Sequence, residues 1–288
     1  MTAVHHRTTE VDGLDVFYRE AGDPAHPHVV LLHGAPASSF MFRDLLPRLA
    51  EDHHVVAPDL IGFGLSATPG VADFAYTFDH LTDVVDAFLE QQGIDSYALY
   101  VQDYGAPTGW RLALRHPERV TAFITQNGNA YEEGFVDSFW APLWRYAADR
   151  TAQNAAPLLE ALGLDAIRWQ YTHGVPDPSL VSPDAWLHDH AAVNRPGNNE
   201  IQLALFADYP SNVALYPSVQ QYFRESHVPL LAVWGKNDEI FGPAGAEAFV
   251  RDLPDAEIHL LDGGHFLLES HLDEVAPLIR AFLARVGA

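Results

Sequence analysis

The sequence predicts an α/β fold, a mostly parallel sheet with helices on both faces, interrupted once by a long and mainly helical insertion. Three observations predict it. Short apolar runs alternate with stretches of helical periodicity, the alternation stops near residue 129, and it resumes near residue 229.

Residues 8–11 and 14–20 flank Asp12-Gly13, a dipeptide that adopts positive φ at low cost, and read as a β-hairpin. Apolar runs at 28–32, 54–57 and 97–101 read as buried strands with helical stretches between them. Over 77–92, Phe78, Leu81, Val84, Val85, Phe88 and Leu89 share one helical face and acids occupy the other. A helix over 106–116 and a strand over 120–125 follow. From 129 to 226 the chain is rich in aromatics, Pro and Asn, with helical pieces and no buried strand. Roughly one hundred residues is too long for a simple loop, so this segment reads as a cap. Alternation returns as a strand at 229–234, a helix at 245–253, a strand at 257–261 and a helix at 269–285. The predicted organisation is a core of 1–128 and 227–288 with a cap of 129–226.

Composition narrows the function. The 288 residues carry 39 acids against 16 Lys and Arg, a formal charge of −23. Such acidity repels phosphate backbones and anionic membrane surfaces, so neither nucleic acid nor membrane is an expected partner. At 48 % hydrophobic the chain can bury a full core. With no Cys, disulfides, thiolate nucleophiles and zinc–thiolate sites are excluded. The N-terminal twenty residues lack the apolar run of a signal peptide, and no stretch suits a membrane span, so a cytoplasmic protein is expected. A homo-oligomer is compatible with the sequence but not legible in it.

In open α/β sheets reactive groups gather beyond the carboxyl ends of the strands. After the first long strand comes His33-Gly34-Ala35-Pro36, and after the next Gly62-Phe63-Gly64-Leu65-Ser66. Then come Gln102-Asp103-Tyr104-Gly105-Ala106, Gly235-Lys236-Asn237-Asp238 and Asp262-Gly263-Gly264-His265. An acid, a second acid and a histidine thus stand at three strand ends in the chain order nucleophile, acid, base. Asp103 sits where the strand turns into a helix, beside the small Gly105 and Ala106. A carboxylate is ionised near neutral pH and can attack an sp³ carbon without a base to activate it. The purely structural alternative for Asp103 is a helix N-cap, and for Asp238 a loop turn beside Asn237.

These motifs, in order and spacing over nearly the whole chain, resemble the α/β-hydrolase fold, specifically the capped branch of epoxide hydrolases and haloalkane dehalogenases. The resemblance implies an alkyl-enzyme ester on Asp103, hydrolysed by water that His265 activates while Asp238 holds the imidazole. It implies an oxyanion hole from the backbone N–H groups of Ala35 and Tyr104. Some relatives place the acid after the sixth strand, but here that stretch is Gln126-Asn127-Gly128-Asn129, so Asp238 is preferred. Glu269 reads as a cap or a partner of its helix dipole. No cofactor and no metal are required.

Haloalkane dehalogenases carry a Trp after the nucleophile, and many carry Asn at the variable position of the first loop. Tyr104 and Ala35 stand there instead, which disfavours dedicated halide release. Epoxide hydrolases present acid tyrosines from the cap. Tyr216 is the first candidate, since 211–216 resembles their late cap helix, and Tyr171 with His173 is the second. Haloacetate dehalogenases need arginines beside the nucleophile, and the nearest here is Arg111, more than a helical turn along. Trp140, Trp144, Trp169, Trp186, Phe139 and Phe206 suit a small, neutral, apolar substrate. The expectation is an epoxide hydrolase giving a vicinal diol. Its rivals are a haloalkane dehalogenase using the same ester and a non-catalytic ligand-binding protein. The G-x-G-x-x-A match at Gly62 lacks a helix and is discounted, as are His5-His6 and His188-Asp189-His190 as metal ligands.

Overall fold

The computed structural model describes residues 2–288. Its eight strands are β1 (His5–Val11), β2 (Leu14–Ala21), β3 (His28–Leu32), β4 (His54–Pro58), β5 (Tyr97–Gln102), β6 (Val120–Gln126), β7 (Leu230–Gly235) and β8 (Glu257–Leu261). They form one sheet in the order β1-β2-β4-β3-β5-β6-β7-β8. Only the N-terminal hairpin is antiparallel, to itself and to β4; from β4 to β8 every pairing is parallel. Asp12 and Gly13 turn the hairpin at φ of 50° and 79°.

Side chains of one strand alternate between two cores. In β5, Leu99 and Val101 join the layer of helix Phe78–Gln91, while Ala98 and Tyr100 join that of helix Leu272–Val286. The first helix buries all six apolar residues that the periodicity selects, each worth about 1.5–3 kcal/mol. Thr77 caps it, its side chain accepting from His80 N.

Between β6 and β7 all the regular elements are helical, the longest being Asp137–Ala148, Pro183–Val193, Asn198–Asp208 and Pro210–Ser226. They are tied to the loop after β7 and to helix Gly105–Arg115 through buried polar contacts. The Trp140 indole N–H donates to Ile240 O at 2.8 Å, and Arg111 donates to Asn212 Oδ1 at 2.7 Å. Two helices expected to be continuous are broken. Residues 245–253 divide into helix Pro243–Ala248 and the 3₁₀ turn Phe249–Arg251. The last helix divides into Leu267–Ser270 and Leu272–Val286. Among the described residues no helix is long and apolar enough to cross a membrane.

Candidate active site

β5 lies inside the sheet between β3 and β6, and the chain leaves its carboxyl end directly into helix Gly105–Arg115. Asp103 occupies the turn with φ of 46°, a left-handed conformation that costs a non-glycine residue energy unless the surrounding structure holds it. Two glycines make room. A Cβ on Gly105 would stand 2.1 Å from Leu32 O, and one on Gly34 would stand 2.2 Å from the Asp103 Cβ. The first loop therefore packs directly against the carboxylate. Ala35 N and Tyr104 N donate to the same oxygen, Oδ1, at 2.7 and 2.6 Å. Oδ2 is left free of both.

Asp59 holds this loop from the other side. Its Oδ1 accepts from Ser39 N and its Oδ2 from Leu65 N, both at 2.7 Å, so it joins the loop after β3 to the glycine-rich loop after β4. His33, fully buried, bridges the same pair of segments, with Nδ1 2.9 Å from Gly34 O and Nε2 accepting from Leu60 N.

His265 enters from the loop after β8. Its Nδ1 lies 2.8 Å from Asp238 Oδ2. Asp238 is buried and fully satisfied, for Ile240 N donates to its Oδ1 and Asn127 Nδ2 to its Oδ2, each at 2.7 Å. The position after β6 thus holds an amide that supports Asp238. Burial pulls the His265 pKa down, but the Asp238 and Asp103 carboxylates outweigh it and the pKa is raised. For Asp103 burial dominates, raising its pKa against the opposing pull of His265 and the two N–H donors. The imidazole's other nitrogen, Nε2, is 2.7 Å from Gln102 Nε2.

Asp103, Ala35 and Tyr104 line a cavity of about 220 Å³ whose remaining walls come mostly from the helical insertion. Phe139, Trp140 and Phe206 face it as the aromatic composition suggests, whereas Trp144, Trp169 and Trp186 do not line it. Gln170 and Gln202 also line it. Gln202 is fully buried, and neither atom of its amide has a hydrogen-bond partner. A narrow crevice beside the cavity is lined by Trp169, Gln170, His173, Asp238, Glu239, Ile240 and His265.

The three groups expected to act as leaving-group acids are absent from the cavity lining. The Tyr216 hydroxyl is buried against Asn129 Nδ2 at 3.5 Å and the Tyr209 hydroxyl. Tyr171 gives its hydroxyl to Asp189, and its ring stacks flat on Phe266 at 3.9 Å. His173 stacks on Trp169 and pairs with Glu239 at 3.1 Å. Their hydroxyls and ring nitrogen are taken up by structural partners. The tyrosine of the lining is Tyr104, whose buried hydroxyl has no partner. Arg111 is committed to Asp79, Asn212 and Ser211 and does not line the cavity. Glu269 receives both guanidinium nitrogens of Arg43, at 2.8 and 2.7 Å, rather than serving as a simple cap.

Sequence reasoning missed Gln102 and Gln202. Each had a signal, since Gln102 ends an otherwise apolar buried strand and Gln202 lies beside Ile201 and Leu205 on the buried face of its helix.

A family model described as alpha/beta hydrolase fold matches residues 27–272. The chain is 44 % identical over 284 residues to an uncharacterized hydrolase of Saccharomyces cerevisiae, covering 97 % of each chain. It is 28 % identical over 310 residues to a haloalkane dehalogenase of Bradyrhizobium diazoefficiens, covering 98 % of this chain and 95 % of that one. Its fold resembles the solved epoxide hydrolase CorEH with a TM-score of 0.80 at 19 % identity, over 99 % of this chain and 100 % of that one.

Proposed function

This chain belongs to the alpha/beta hydrolase fold family, and on that premise we propose that it hydrolyses a small, neutral, apolar epoxide through an alkyl ester of Asp103. The observation that carries the reading is the placement of Asp103 Oδ1 on two N–H donors, in an apolar cavity beside an imidazole already oriented by Asp238. Oδ2 is then the attacking oxygen. It bonds to a ring carbon while the C–O bond breaks and the electron pair goes to the epoxide oxygen. Tyr104 supplies the hydrogen bond or proton to that oxygen in place of Tyr216 and Tyr171; its pKa, raised by burial and by Asp103, keeps the proton on the hydroxyl until it is needed.

The ester carbonyl oxygen is Oδ1, which is in the oxyanion hole before the reaction begins. Water, giving a proton to His265 Nε2, adds to that carbonyl. The tetrahedral intermediate places its negative charge on Oδ1, where each N–H donor stabilises it by about 3 kcal/mol. Collapse releases the diol with the Asp103 oxygen in it; the water oxygen stays on the carboxylate, and the second proton of that water replaces the one Tyr104 gave up.

Haloalkane dehalogenation is the second reading. The relatives of that name favour it, and the Gln202 amide offers N–H donors to a departing halide. Against it, Ala35 has no side-chain donor, Tyr104 replaces an indole, and the Trp140 indole N–H is committed to Ile240 O. Assays with matched epoxides and haloalkanes separate the two. Diol formation is the expected outcome, and halide release with no diol from any epoxide would overturn the choice. His265→Gln accumulates the substrate as a covalent adduct on Asp103 under either reading.

A further inference from the structure

Gln102 ends β5 immediately before Asp103 and is fully buried. Its Nε2 stands 2.7 Å from His265 Nε2, and its Oε1 is buried with no partner. A neutral imidazole that gives its Nδ1 proton to Asp238 keeps one in-plane lone pair, on Nε2, so the amide must be the donor in this contact. That lone pair is the one a water molecule has to reach.

Resting on the ester reading above, we propose that Gln102 is a positioning residue that caps the His265 base while Asp103 attacks and yields it to water once the ester exists. Capping keeps the ring from turning its Nε2 toward the Asp103 carboxylate, which would tie up the nucleophile. Among the described residues the ion-pair partner of His265 is Asp238. After water has transferred its proton, the ring is an imidazolium whose Nε2–H needs an acceptor. A half-turn of the amide brings Oε1, the atom with no partner in the resting structure, into that place. A neutral carboxamide serves both charge states from one position, and an apolar side chain serves neither. No covalent bond of Gln102 is made or broken in the cycle. The proton passes from water to Nε2 and then to the departing alkoxide.

The charged groups around the ring are Asp238 after β7, Asp103 at the end of β5, and, across the crevice, Glu239 paired with His173. None is altered by substitution at 102, so the pH profile reports on Gln102 itself. The test is the pH dependence of ester hydrolysis, followed by rapid quench and intact-protein mass spectrometry, in the parent, Gln102→Leu and the near-isosteric Gln102→Glu.

Gln102→Leu loses both the donor to the neutral ring and the acceptor for the imidazolium, and because the hydrogen bond to the charged ring is the stronger, the acidic limb of that step moves to lower pH, by about half a unit to one unit. The carboxylate of Gln102→Glu pairs with the imidazolium and moves the limb the other way, to higher pH. The rate of ester formation, measured where Asp103 is ionised, changes less than the rate of its hydrolysis in both variants. Limbs that coincide with the parent's in a folded variant overturn the proposal, and Gln102→Glu decides it if Gln102→Leu does not fold. If the parent itself forms no adduct, the ester reading is what fails.

Discussion

Asp103 uses its two oxygens differently, and the division has a thermodynamic consequence. Oδ1 is fixed by Ala35 N and Tyr104 N, while burial raises the carboxyl pKa above its ordinary value of 3.8. A carboxyl whose folded pKa is raised binds its proton more tightly in the folded state than in the unfolded chain. Stability therefore declines as pH climbs from 3.8 through the raised value, and at neutral pH the ionised group is a burden on the fold. Asp103→Asn keeps an acceptor for both N–H groups and removes the charge. It is predicted to lose turnover and yet to melt at a higher temperature than the parent at neutral pH, with the difference shrinking as pH falls toward 3.8. Calorimetry across that range checks it, and an equal or lower melting temperature at neutral pH contradicts it. His265 acts in the same sense with pH. Its pKa is raised above 6.5, so its contribution to stability is full below that value and fades as pH rises through the folded value.

At the scale of elements, a contact that holds the short helix just past His265 is remote in sequence. Arg43, in the segment after β3, meets Glu269, in the short helix just past His265, through both guanidinium nitrogens. The Glu269 side chain is 3 % exposed and that of Arg43 24 %. Removing one partner of a buried pair leaves an uncompensated charge, so Arg43→Leu is predicted to cost about 3 kcal/mol in chemical denaturation. A loss below about 1 kcal/mol would show the pair to be solvent-screened instead. The same contact explains what was illegible here. The inner strands β4, β5 and β7 could be read because each is buried along its whole length, and helix Phe78–Gln91 because its apolar face is periodic. The break at His271 could not be read. No Gly or Pro marks it, and partners such as Arg43, which hold the short helix before it, lie more than two hundred residues away. That Tyr171 and Tyr216 stand outside the cavity lining was illegible for a related reason. Sequence places Tyr171 and Tyr216 on helices of the insertion, but the direction of each hydroxyl is decided by Asp189 and by Asn129 with Tyr209.

At the scale of the molecule, the sheet order brings together residues that the chain separates. Ala35 after β3, Asp103 after β5, Asn127 after β6, Asp238 after β7 and His265 after β8 converge at one end because five parallel strands lie side by side. That much of the site was legible, since motifs at successive strand ends must share an edge once the strands are parallel. The few polar groups of the cavity wall were not, because they depend on which residues the helical insertion turns inward, Gln170 and Gln202 among them. The insertion closes an apolar chamber over a carboxylate in a chain of net charge −23, and so separates the chemistry from a strongly acidic surface.

The central claim is that Asp103 bonds to substrate carbon and is regenerated by water attacking its own carbonyl. A single turnover in heavy-oxygen water, with enzyme in excess and the peptide containing Asp103 weighed afterwards, tests it most directly. The account predicts one heavy oxygen in the Asp103 carboxylate and none in the product. Heavy oxygen in the product, with an unlabelled Asp103, would mean that water attacks the substrate itself, and would contradict it.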